Sequence, residues 1–496
     1  ACGTGGMLTV AEERLAELAE SHGKDVSIHL FGQEVQPETY AISKADLLLK
    51  GEGAEAENMK YGSTLSSDAF PSQEFDFMLS NPPYGKSWKT DLERLGGKGD
   101  IKDPRFVTQH GGDPEYKMIT RSSDGQLMFL VNKLSKMKHT TRLGSRIAEV
   151  HNGSSLFTGD AGQGESNIRR WIIENDWLEA IIALPENMFY NTGIATYIWV
   201  LTNRKSDTRR GKVQLIDATE WYVPLRRNLG KKNCELSEEQ IQTIVDLVVN
   251  PRETEKSKIF PNQAFGYWKV TVDRPLRLAV DLSPARLERF ERACAKAKEE
   301  PLANLAHRVA ETLGTGPHLD FNAFMDAVEA DADKHGVKLT AKRKKLLQSD
   351  LCDTSEDAAP VLKKVHKPGK TTPDPMIGKF EVGSLKCEQD KRHPSHLPLP
   401  PSSVVEYEPD TALRDSEQVP LLEEGGIEAF FQREVLPYTP DAWIDPGKTL
   451  VGYEISFTRH FYRPAPMRTL DEIKADIYAL EQETEGLLEQ IVGEAE

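Results

Sequence analysis

The first 220 residues alternate between short apolar runs and segments whose apolar residues recur every three or four positions. Short apolar runs predict buried strands, and the helical spacing predicts amphipathic helices that cover a sheet. The predicted strands are 26–30, 75–80, 146–150, 178–184, 195–201 and 213–217. The predicted helices are 7–21, 37–50, a helix from Asp124 that buries Leu127, Leu130 and Leu134, and 168–174. This alternation predicts an α/β fold.

The last three predicted strands are separated by connections of fewer than a dozen residues. Such connections are too short for a crossover helix between parallel strands, whereas antiparallel strands need only a turn. We therefore expect an antiparallel hairpin at the edge of the sheet. The turn at 185–193 carries Phe189 and Tyr190, which we expect to fill the space beneath this hairpin. A packing face for an extruded base is the alternative role for either ring.

The apolar run that ends at Ser80 is followed by Asn81-Pro82-Pro83-Tyr84. Proline has no N–H to donate to a ladder, so the strand stops here and Asn81 lies at its carboxyl edge, where ligands bind in open α/β sheets. The Asn81 oxygen and the Pro82 carbonyl can accept the hydrogens of a planar amine while Tyr84 stacks on the attached ring. Two such acceptors localise the nitrogen lone pair and favour its attack on a nearby electrophile. A turn without function is the alternative for the proline pair alone.

The sequence begins with a glycine-rich turn, Cys2-Gly3-Thr4-Gly5-Gly6, that leads into the first predicted helix. The predicted strand that follows this helix ends near Glu34. A glycine turn that opens a helix, followed by a strand that ends in an acid, is half of a nucleotide-binding βαβ unit. The glycines allow a cofactor close to the backbone, and Glu34 is placed to accept hydrogen bonds from ribose hydroxyls. Any tight strand-to-helix turn is the alternative for the glycines alone.

Length and composition predict several domains and no membrane span. A chain of 496 residues is too long for one core, its mean hydropathy is −0.51, and no apolar run approaches the roughly 18 residues of a span. The cysteines are scattered without a CxxC pair, which predicts reduced thiols, a cytoplasmic location and no zinc site. They are Cys2, Cys234, Cys294, Cys352 and Cys387.

The pattern changes beyond residue 225, which predicts a division into four parts. Residues 1–225 form a catalytic domain, 226–352 a mixed helical region, 353–402 a linker or extended arm, and 403–496 a C-terminal region. Within the last part, Thr469 and Glu472 predict a capping box. A heptad seam then predicts a helix over 469–492 that docks on another subunit, with folding back onto its own domain as the alternative. The seam residues are Leu470, Ile473, Ile477, Leu480, Thr484, Leu487 and Ile491.

Asn81-Pro82-Pro83-Tyr84 after an apolar strand resembles the catalytic motif of amino-group methyltransferases, chiefly those that make N6-methyladenine in DNA. Along its whole length the chain resembles the modification (methyltransferase) subunit of type I restriction–modification systems. The resemblance implies that Asn81, Pro82, Pro83 and Tyr84 are catalytic. It also implies S-adenosyl-L-methionine as the cofactor, held by Cys2, Gly3, Thr4, Gly5, Gly6, Glu34 and Asn81.

The same resemblance implies a seven-stranded, Rossmann-like methyltransferase sheet followed by a mainly helical C-terminal region. No strand precedes the glycine turn in this sequence, so we expect the first strand of the sheet to be missing. Its absence should leave a groove beside residues 26–30 and 75–80. The implied partners are DNA, a DNA-specificity subunit on the C-terminal helix, a second copy of the chain and a restriction subunit, without a membrane.

The formal net charge of −16 bears on these partners. Lys and Arg on phosphates supply most non-specific affinity for DNA, so a strongly acidic chain should bind DNA weakly by itself. The charge therefore indicates a subunit whose partner carries many of the contacts, with an ordinary acidic enzyme as the alternative. Residues 86–123 are polar, and we expect a long connection that either orders around DNA or remains a solvated loop.

Three other functions remain open at this point. Enzymes that methylate glutamine side chains in proteins carry the same Asn-Pro-Pro-Tyr motif, because a carboxamide is also a planar amine. A cytosine-N4 methyltransferase is a smaller variation, although Asn81 at the first motif position favours adenine within the resembled families. A scaffold subunit without catalysis is the third alternative.

Overall fold

The computed structural model describes residues 2–97, 99–190, 192–366, 381–382, 403–462 and 469–480. The helices are α1 (Gly6–Ser21), α2 (Pro37–Leu49), α3 (Gly53–Glu57), α4 (Lys89–Arg94), α5 (Gln126–Leu134), α6 (Ser154–Phe157), α7 (Gly164–Glu174), α8 (Glu238–Val249), α9 (Pro284–Ala297), α10 (Glu300–Leu313), α11 (Phe321–His335), α12 (Ala341–Leu351), α13 (Gly426–Phe430), α14 (Phe457–Phe461) and α15 (470–480).

The strands follow the same numbering in chain order. They are β1 (Gly32–Glu34), β2 (Met59–Tyr61), β3 (Phe77–Ser80), β4 (Val107–His110), β5 (Asp113–Lys117), β6 (Arg146–Asn152), β7 (Leu178–Leu184), β8 (Thr196–Thr202), β9 (Lys212–Asp217), β10 (Val223–Leu229), β11 (Lys232–Glu235), β12 (Ser257–Pro261), β13 (Gly266–Asp273), β14 (Leu278–Val280), β15 (Cys352–Thr354), β16 (Leu362–His366), β17 (Glu381–Val382), β18 (Ser403–Tyr407), β19 (Asp415–Pro420), β20 (Trp443–Ile444) and β21 (Leu450–Tyr453).

The main sheet of the described residues has the strand order β12-β9-β7-β8-β6-β3. β3 is parallel to β6, and β7 is parallel to β9. β8 is antiparallel to both of its neighbours, and β12 is antiparallel to β9. Ser80 lies opposite Glu149, so β3 and β6 end close together at one edge. The expected α/β architecture is confirmed.

The expected antiparallel pair of β7 and β8 is present, but its predicted place at the sheet edge is wrong. β8 lies inside the sheet, between β6 and β7. The edge strands of the described sheet are β3 and β12, and β12 follows β9 only after the β10–β11 hairpin and α8. Partners that are distant in sequence decide this order, and the local apolar pattern carries no information about them.

The strand predicted at 26–30 is also wrong, because residues 24–31 form neither helix nor strand. The strand in this part is β1, which pairs in parallel with β2 in a separate two-stranded sheet. Within the described ranges no strand lies between this sheet and β3. The apolar residues at 26–30 therefore have no ladder to join.

Alternate residues of the main sheet pack against helices on its two faces. On one face, Ile147, Ile181 and Leu215 share a core with α5 and α7. On the other face, Ile182 and Ile216 pack with α8. The polar segment 86–123 is ordered as well, because it contains α4 and the β4–β5 hairpin instead of one long connection without regular structure.

The part of the chain beyond the main sheet combines helices with a second sheet. Helices α9 to α12 enclose a core of their own. β13 pairs with β19, β20 and β21 in the second sheet. The predicted arm is described only in part: β16 pairs with β18, and residues 367–380 and 383–402 lie outside the described ranges. The capping box of Thr469 and Glu472 is confirmed at the start of α15.

The heptad-seam residues in the described part of α15 are exposed. They are Leu470, Ile473, Ile477 and Leu480. The remaining seam residues, Thr484, Leu487 and Ile491, lie outside the described residues, as does Cys387. Among the helices that the structure describes, none combines the length and apolar content that crossing a bilayer requires. The residues that the structure describes contain no group of three or more His, Cys, Asp or Glu side chains that could hold a metal ion.

Arg169 joins the main sheet to the C-terminal segment. Its side chain is fully buried on α7, and its guanidinium donates to the carbonyl oxygens of Tyr453 at 2.6 Å, Ser155 at 3.0 Å and Gly159 at 3.2 Å. Burial lowers the pKa of Arg169 to about 10, so the group stays charged at neutral pH. Next to it, Ile455 donates its N–H to the carbonyl of Leu156 at 2.8 Å.

A second buried group of ionisable side chains lies between α5 and β6. Lys133 Nζ lies 2.9 Å from Glu149 Oε2, and His151 is fully buried beside this pair. Burial raises the pKa of Glu149 and lowers that of Lys133, so each is displaced toward its neutral form. Burial and the Lys133 charge lower the pKa of His151 well below its usual value. The imidazole is therefore neutral in the folded protein.

We expect Arg169→Met to lower the free energy of unfolding by about 3 kcal/mol, because buried carbonyl oxygens lose their charged donor. Urea unfolding followed by circular dichroism measures the change. Arg170→Met is the control, since Arg170 pairs with Glu174 near the surface and its loss should cost less than about 1 kcal/mol. Equal losses for the two variants would contradict a special role of the buried guanidinium.

Acid should destabilise the protein through His151. Below about pH 6.5 the unfolded chain binds a proton that the folded chain excludes, so stability falls from that pH toward the folded pKa. Between about pH 7.5 and 5.5, the wild type should lose about 1 kcal/mol more than His151→Gln. Urea unfolding at both pH values measures this difference. The exposed His307, replaced by Gln, is the control, and a wild-type loss equal to that of His151→Gln would refute the assignment.

Candidate active site

The motif Asn81-Pro82-Pro83-Tyr84 follows β3 directly, as the sequence predicts. Asn81 and Pro83 are exposed, Pro82 is buried, and Tyr84 is half-buried. Gly85 then adopts a φ of 67°, a backbone conformation that residues with a Cβ rarely adopt. Burial raises the pKa of Tyr84, so its phenol is neutral at physiological pH. An exposed carboxamide therefore lies next to a ring that is held partly in the protein.

The glycine turn and Glu34 lie together, although they are distant in sequence. Gly3 donates its N–H to Glu34 Oε2 at 3.0 Å, and Cys2 donates to the carbonyl of Gln33 at 3.1 Å. Gly3 and Gly5 have φ values of 62° and 85°, and a Cβ on Gly3 would project into open space. Thr4 and Gly6 are exposed beside them. A ligand can therefore approach the backbone of this turn.

The Glu34 carboxylate is buried and already has partners. Besides the Gly3 N–H, its Oε1 accepts the N–H groups of Val35 at 2.9 Å and Gln36 at 3.0 Å. A carboxylate offers about four lone-pair sites. The observed bonds therefore leave about one site for a further donor, such as a ligand hydroxyl.

A cavity of about 790 Å³ lies between residues 26–33 and the strand β3. Leu8, Ala11 and Leu15 of α1 form part of its wall. Its lining extends to Cys2 at the glycine turn and to Ser80, which immediately precedes Asn81. The groove expected beside 26–30 and 75–80 is thus confirmed. Of the predicted site residues, Cys2 lines it, and the catalytic motif begins one residue after Ser80.

The two aromatic residues of the turn after β7 differ in their surroundings. Phe189 packs against the core beneath α8, which confirms the expectation that it fills space there. Tyr190 is 58% exposed, and Lys232 Nζ lies 5.5 Å from the centre of its ring. Tyr190 therefore does not fill the sheet interior as expected.

One residue beside the motif was not singled out by the sequence as part of the site. Asp124, predicted only as the start of a helix, accepts the N–H of Gly85 with its carboxylate at 3.3 Å. Gly125 occupies the cap position itself. The only local signal was an acid just before a helix, which does not reveal a contact with the motif loop 39 residues earlier.

Comparison with known proteins gives a family match and several relatives. Residues 1–265 match the family described as N-6 DNA Methylase. The chain is 30% identical over 247 residues to the methylase subunit of the type I restriction enzyme MjaIX of Methanocaldococcus jannaschii, which covers 50% of this chain and 39% of that protein. It is 26% identical over 261 residues to the MpnII methylase subunit of Mycoplasma pneumoniae, covering 51% and 42% respectively.

Among solved structures, the methyltransferase subunit of a type I restriction–modification system from Streptococcus thermophilus is similar, with a TM-score of 0.42 and 24% identity. That similarity covers 53% of this chain and 49% of the other. The chain spans about two fifths of the length of the curated relatives it matches. Because the family match covers more than half of its 496 residues, the chain belongs to the N-6 DNA methylase family.

Proposed function

We propose that this protein transfers the methyl group of S-adenosyl-L-methionine to the N6 amino group of adenine in DNA, as the modification subunit of a type I restriction–modification complex. One observation carries the proposal: Asn81 stands exposed at the carboxyl end of β3, beside the half-buried Tyr84 and one residue beyond the cavity lining. Family membership and the named relatives support the same function.

The motif residues act on the amine. Asn81 Oδ1 and the Pro82 carbonyl accept the two amino hydrogens, which concentrates the nitrogen lone pair in the direction of attack. Tyr84 stacks on the base once it leaves the duplex. Pro82 and Pro83 restrict the backbone, so these acceptors are fixed before the substrate arrives. The proton lost by the amino nitrogen passes to solvent at this exposed edge.

The cofactor side is formed by Cys2, Gly3, Thr4, Gly5, Gly6 and Glu34, with Asn81 at its border. Open space beside Gly3 and the remaining acceptor site of Glu34 fit a nucleoside that is bound by backbone N–H groups and through a ribose hydroxyl. When bound, S-adenosyl-L-methionine supplies the electrophilic methyl group. The protein's part is to orient the two substrates at adjoining edges.

The cavity supports the finer proposal of a seven-stranded sheet. β3 is hydrogen-bonded to β6 along one edge, and residues 26–31 face it across the cavity without joining a ladder in the described structure. One further parallel strand in this space would join β1 and β2 to β3, β6, β8 and β7 as seven strands, and β9 and β12 would extend the sheet beyond β7. We propose that this is the place of the strand expected before the glycine turn.

The proposed assembly contains DNA and further subunits. The net charge of −16 favours a complex in which a DNA-specificity subunit brings many of the DNA contacts. The exposed apolar residues of α15 offer that subunit a helical docking face. A second copy of the chain and a restriction subunit belong to the same proposed assembly. The division of the chain at 225, 352 and 402 remains a prediction.

The amine site can be tested in the complex reconstituted from the full-length protein and its specificity subunit. Asn81→Ala should lower kcat by about 10²- to 10³-fold, because an acceptor that acts in the transition state is lost. Tyr84→Ala should also lower activity, whereas Tyr84→Phe retains the stacking ring and should stay within about threefold of the wild type. Incorporation of radioactive methyl groups measures the rates.

Nucleoside analysis of the product gives the matching control on substrate class. N6-methyladenine supports the proposal, whereas N4-methylcytosine in DNA or methylglutamine in protein would replace it with one of the other amine substrates. Methylation at the wild-type rate by the complex that contains Asn81→Ala would instead indicate that this chain is a scaffold without a catalytic role.

The docking face of α15 makes a separate prediction. Ile473→Glu combined with Ile477→Glu should weaken binding of the specificity subunit more than a hundredfold, because two buried apolar side chains are worth about 3–6 kcal/mol. Co-purification and titration calorimetry measure the affinity. Lys474→Glu changes the charge of the same helix outside the seam and is the control. Unchanged affinity in the double variant would place the interface elsewhere.

A further inference from the structure

The loop after the catalytic motif is fastened to residues 121–125. Trp88 donates its backbone N–H to the carbonyl of Ser122 at 3.0 Å and its indole N–H to the carbonyl of Arg121 at 2.9 Å. In the reverse direction, Gly125 donates its N–H to the carbonyl of Lys86 at 3.3 Å. Trp88 is buried, although it lies in a polar part of the sequence. We call these two facing segments, 85–88 and 121–125, the clasp.

Asp124 provides the charged centre of the clasp. Its carboxylate is 7% exposed, and its Oδ1 accepts the N–H of Gly85 at 3.3 Å and that of Gln126 at 3.2 Å. Its Oδ2 accepts from Gln126 Nε2 at 2.8 Å and lies 3.1 Å from the Ser154 hydroxyl, which is also 2.6 Å from Asn152 Oδ1. The backbone N–H groups of Gly85 and Gln126 and the side-chain amide of Gln126 can only donate here, and an ionised carboxylate only accepts. The site therefore requires Asp rather than its near-isostere Asn, whose NH₂ group would face donors.

The clasp is anchored to the main sheet. Gln126 Nε2 also donates to Asn152 Oδ1 at 2.7 Å, while its Oε1 accepts the N–H of Asn152 at 3.1 Å. Asn152 is the last residue of β6, which is the hydrogen-bonded neighbour of β3. Asn81 follows β3, and Gly85 begins the clasp four residues later. The motif is thus held at both ends by the same pair of strands.

The clasp is also held by close packing between Gly125 and Trp88. A Cβ on Gly125 would lie 2.9 Å from Trp88 Cδ1 and 3.0 Å from Trp88 Cγ. The φ of Gly125 is −102°, so the backbone itself would accept alanine. Position 125 therefore lacks a side chain because the Trp88 indole occupies that space, and not because the backbone of the turn requires glycine.

We propose that Asp124 is a positioning residue for the transfer site: through Gly85, Gln126 and Ser154 it fixes the loop that follows Tyr84, and thereby the direction of the Asn81 and Pro82 acceptors. The structural part of this proposal stands alone. Its catalytic part rests on the proposed function, because the direction of these acceptors affects a reaction only if an amine binds there. Small displacements of such groups cost up to about a hundredfold in rate.

The first arm of the test measures the loop without any substrate. In Asp124→Asn, hydrogen exchange of the amides in residues 85–90 should accelerate at least tenfold, while that of β7 stays unchanged. Asp100→Asn is the matched control, because Asp100 is an exposed residue of the same connection and lies outside the clasp. Unchanged exchange in Asp124→Asn would overturn the proposal, whatever the protein methylates.

The second arm measures the reaction in the complex. Asp124→Asn should lower kcat for methyl transfer by about 10- to 100-fold, with KM for DNA and the Kd for S-adenosylhomocysteine within threefold of the wild type. A residue that served only stability would lower the amount of active protein but would not accelerate exchange in this loop alone. Faster loop exchange with an unchanged kcat would refute the positioning role.

A second variant covers the case in which Asp124→Asn fails to fold. Gly125→Ala keeps the carboxylate and displaces Trp88, so it should produce the same local exchange and the same fall in kcat. If Gly125→Ala folds and leaves both unchanged, the clasp does not position the motif. If the wild type methylates no DNA, the exchange arm still decides the structural proposal while the proposed function fails by itself.

Discussion

The parallel pairing of β3 with β6 is the interaction on which the site depends. β3 has only four residues, and in the described structure its ladder bonds go to β6 alone. The register of this pair places the ends of both strands at one edge. The motif that follows β3 therefore takes its position from β6, first through the ladder and then through Gln126 and Asn152. A slip of one residue would turn the side chains of β3 to the opposite face and displace the motif that follows it.

Buried ionisable side chains lie where the main elements of this architecture meet. The Lys133–Glu149 pair and the neutral His151 lie between α5 and β6, and Arg169 lies where α7 meets the segment around Tyr453. Burial of a charged group is costly unless its partners are in place, so these groups penalise arrangements that separate the elements they join. The apolar cores supply most of the stabilisation, while the charges restrict how the elements fit together.

Local patterns predicted the individual elements but not their neighbours. Apolar runs identified β3, β6, β7, β8 and β9, and Thr469 with Glu472 identified the start of α15, because these features depend on residues close in sequence. The place of β8 inside the sheet and the absence of a ladder at 26–30 depend on distant partners. The β4–β5 hairpin was missed because its residues lack apolar alternation. In the candidate site, the motif and Glu34 could be proposed from residue types. Asp124 could not, because its contact with Gly85 joins residues 39 positions apart and becomes visible only in the folded chain.

The contact of Arg169 with Tyr453 joins residues 284 positions apart in the chain. A ribosome that adds about 5–20 residues per second needs roughly 15 to 60 s to make the intervening polypeptide. During that time α7 exists without the carbonyl that its guanidinium will meet, and the nascent sheet has an unfinished face. The hydrogen bond of Arg169 to Tyr453 therefore forms only after the segment around Tyr453 has been synthesised, so this side of the N-terminal core is completed late.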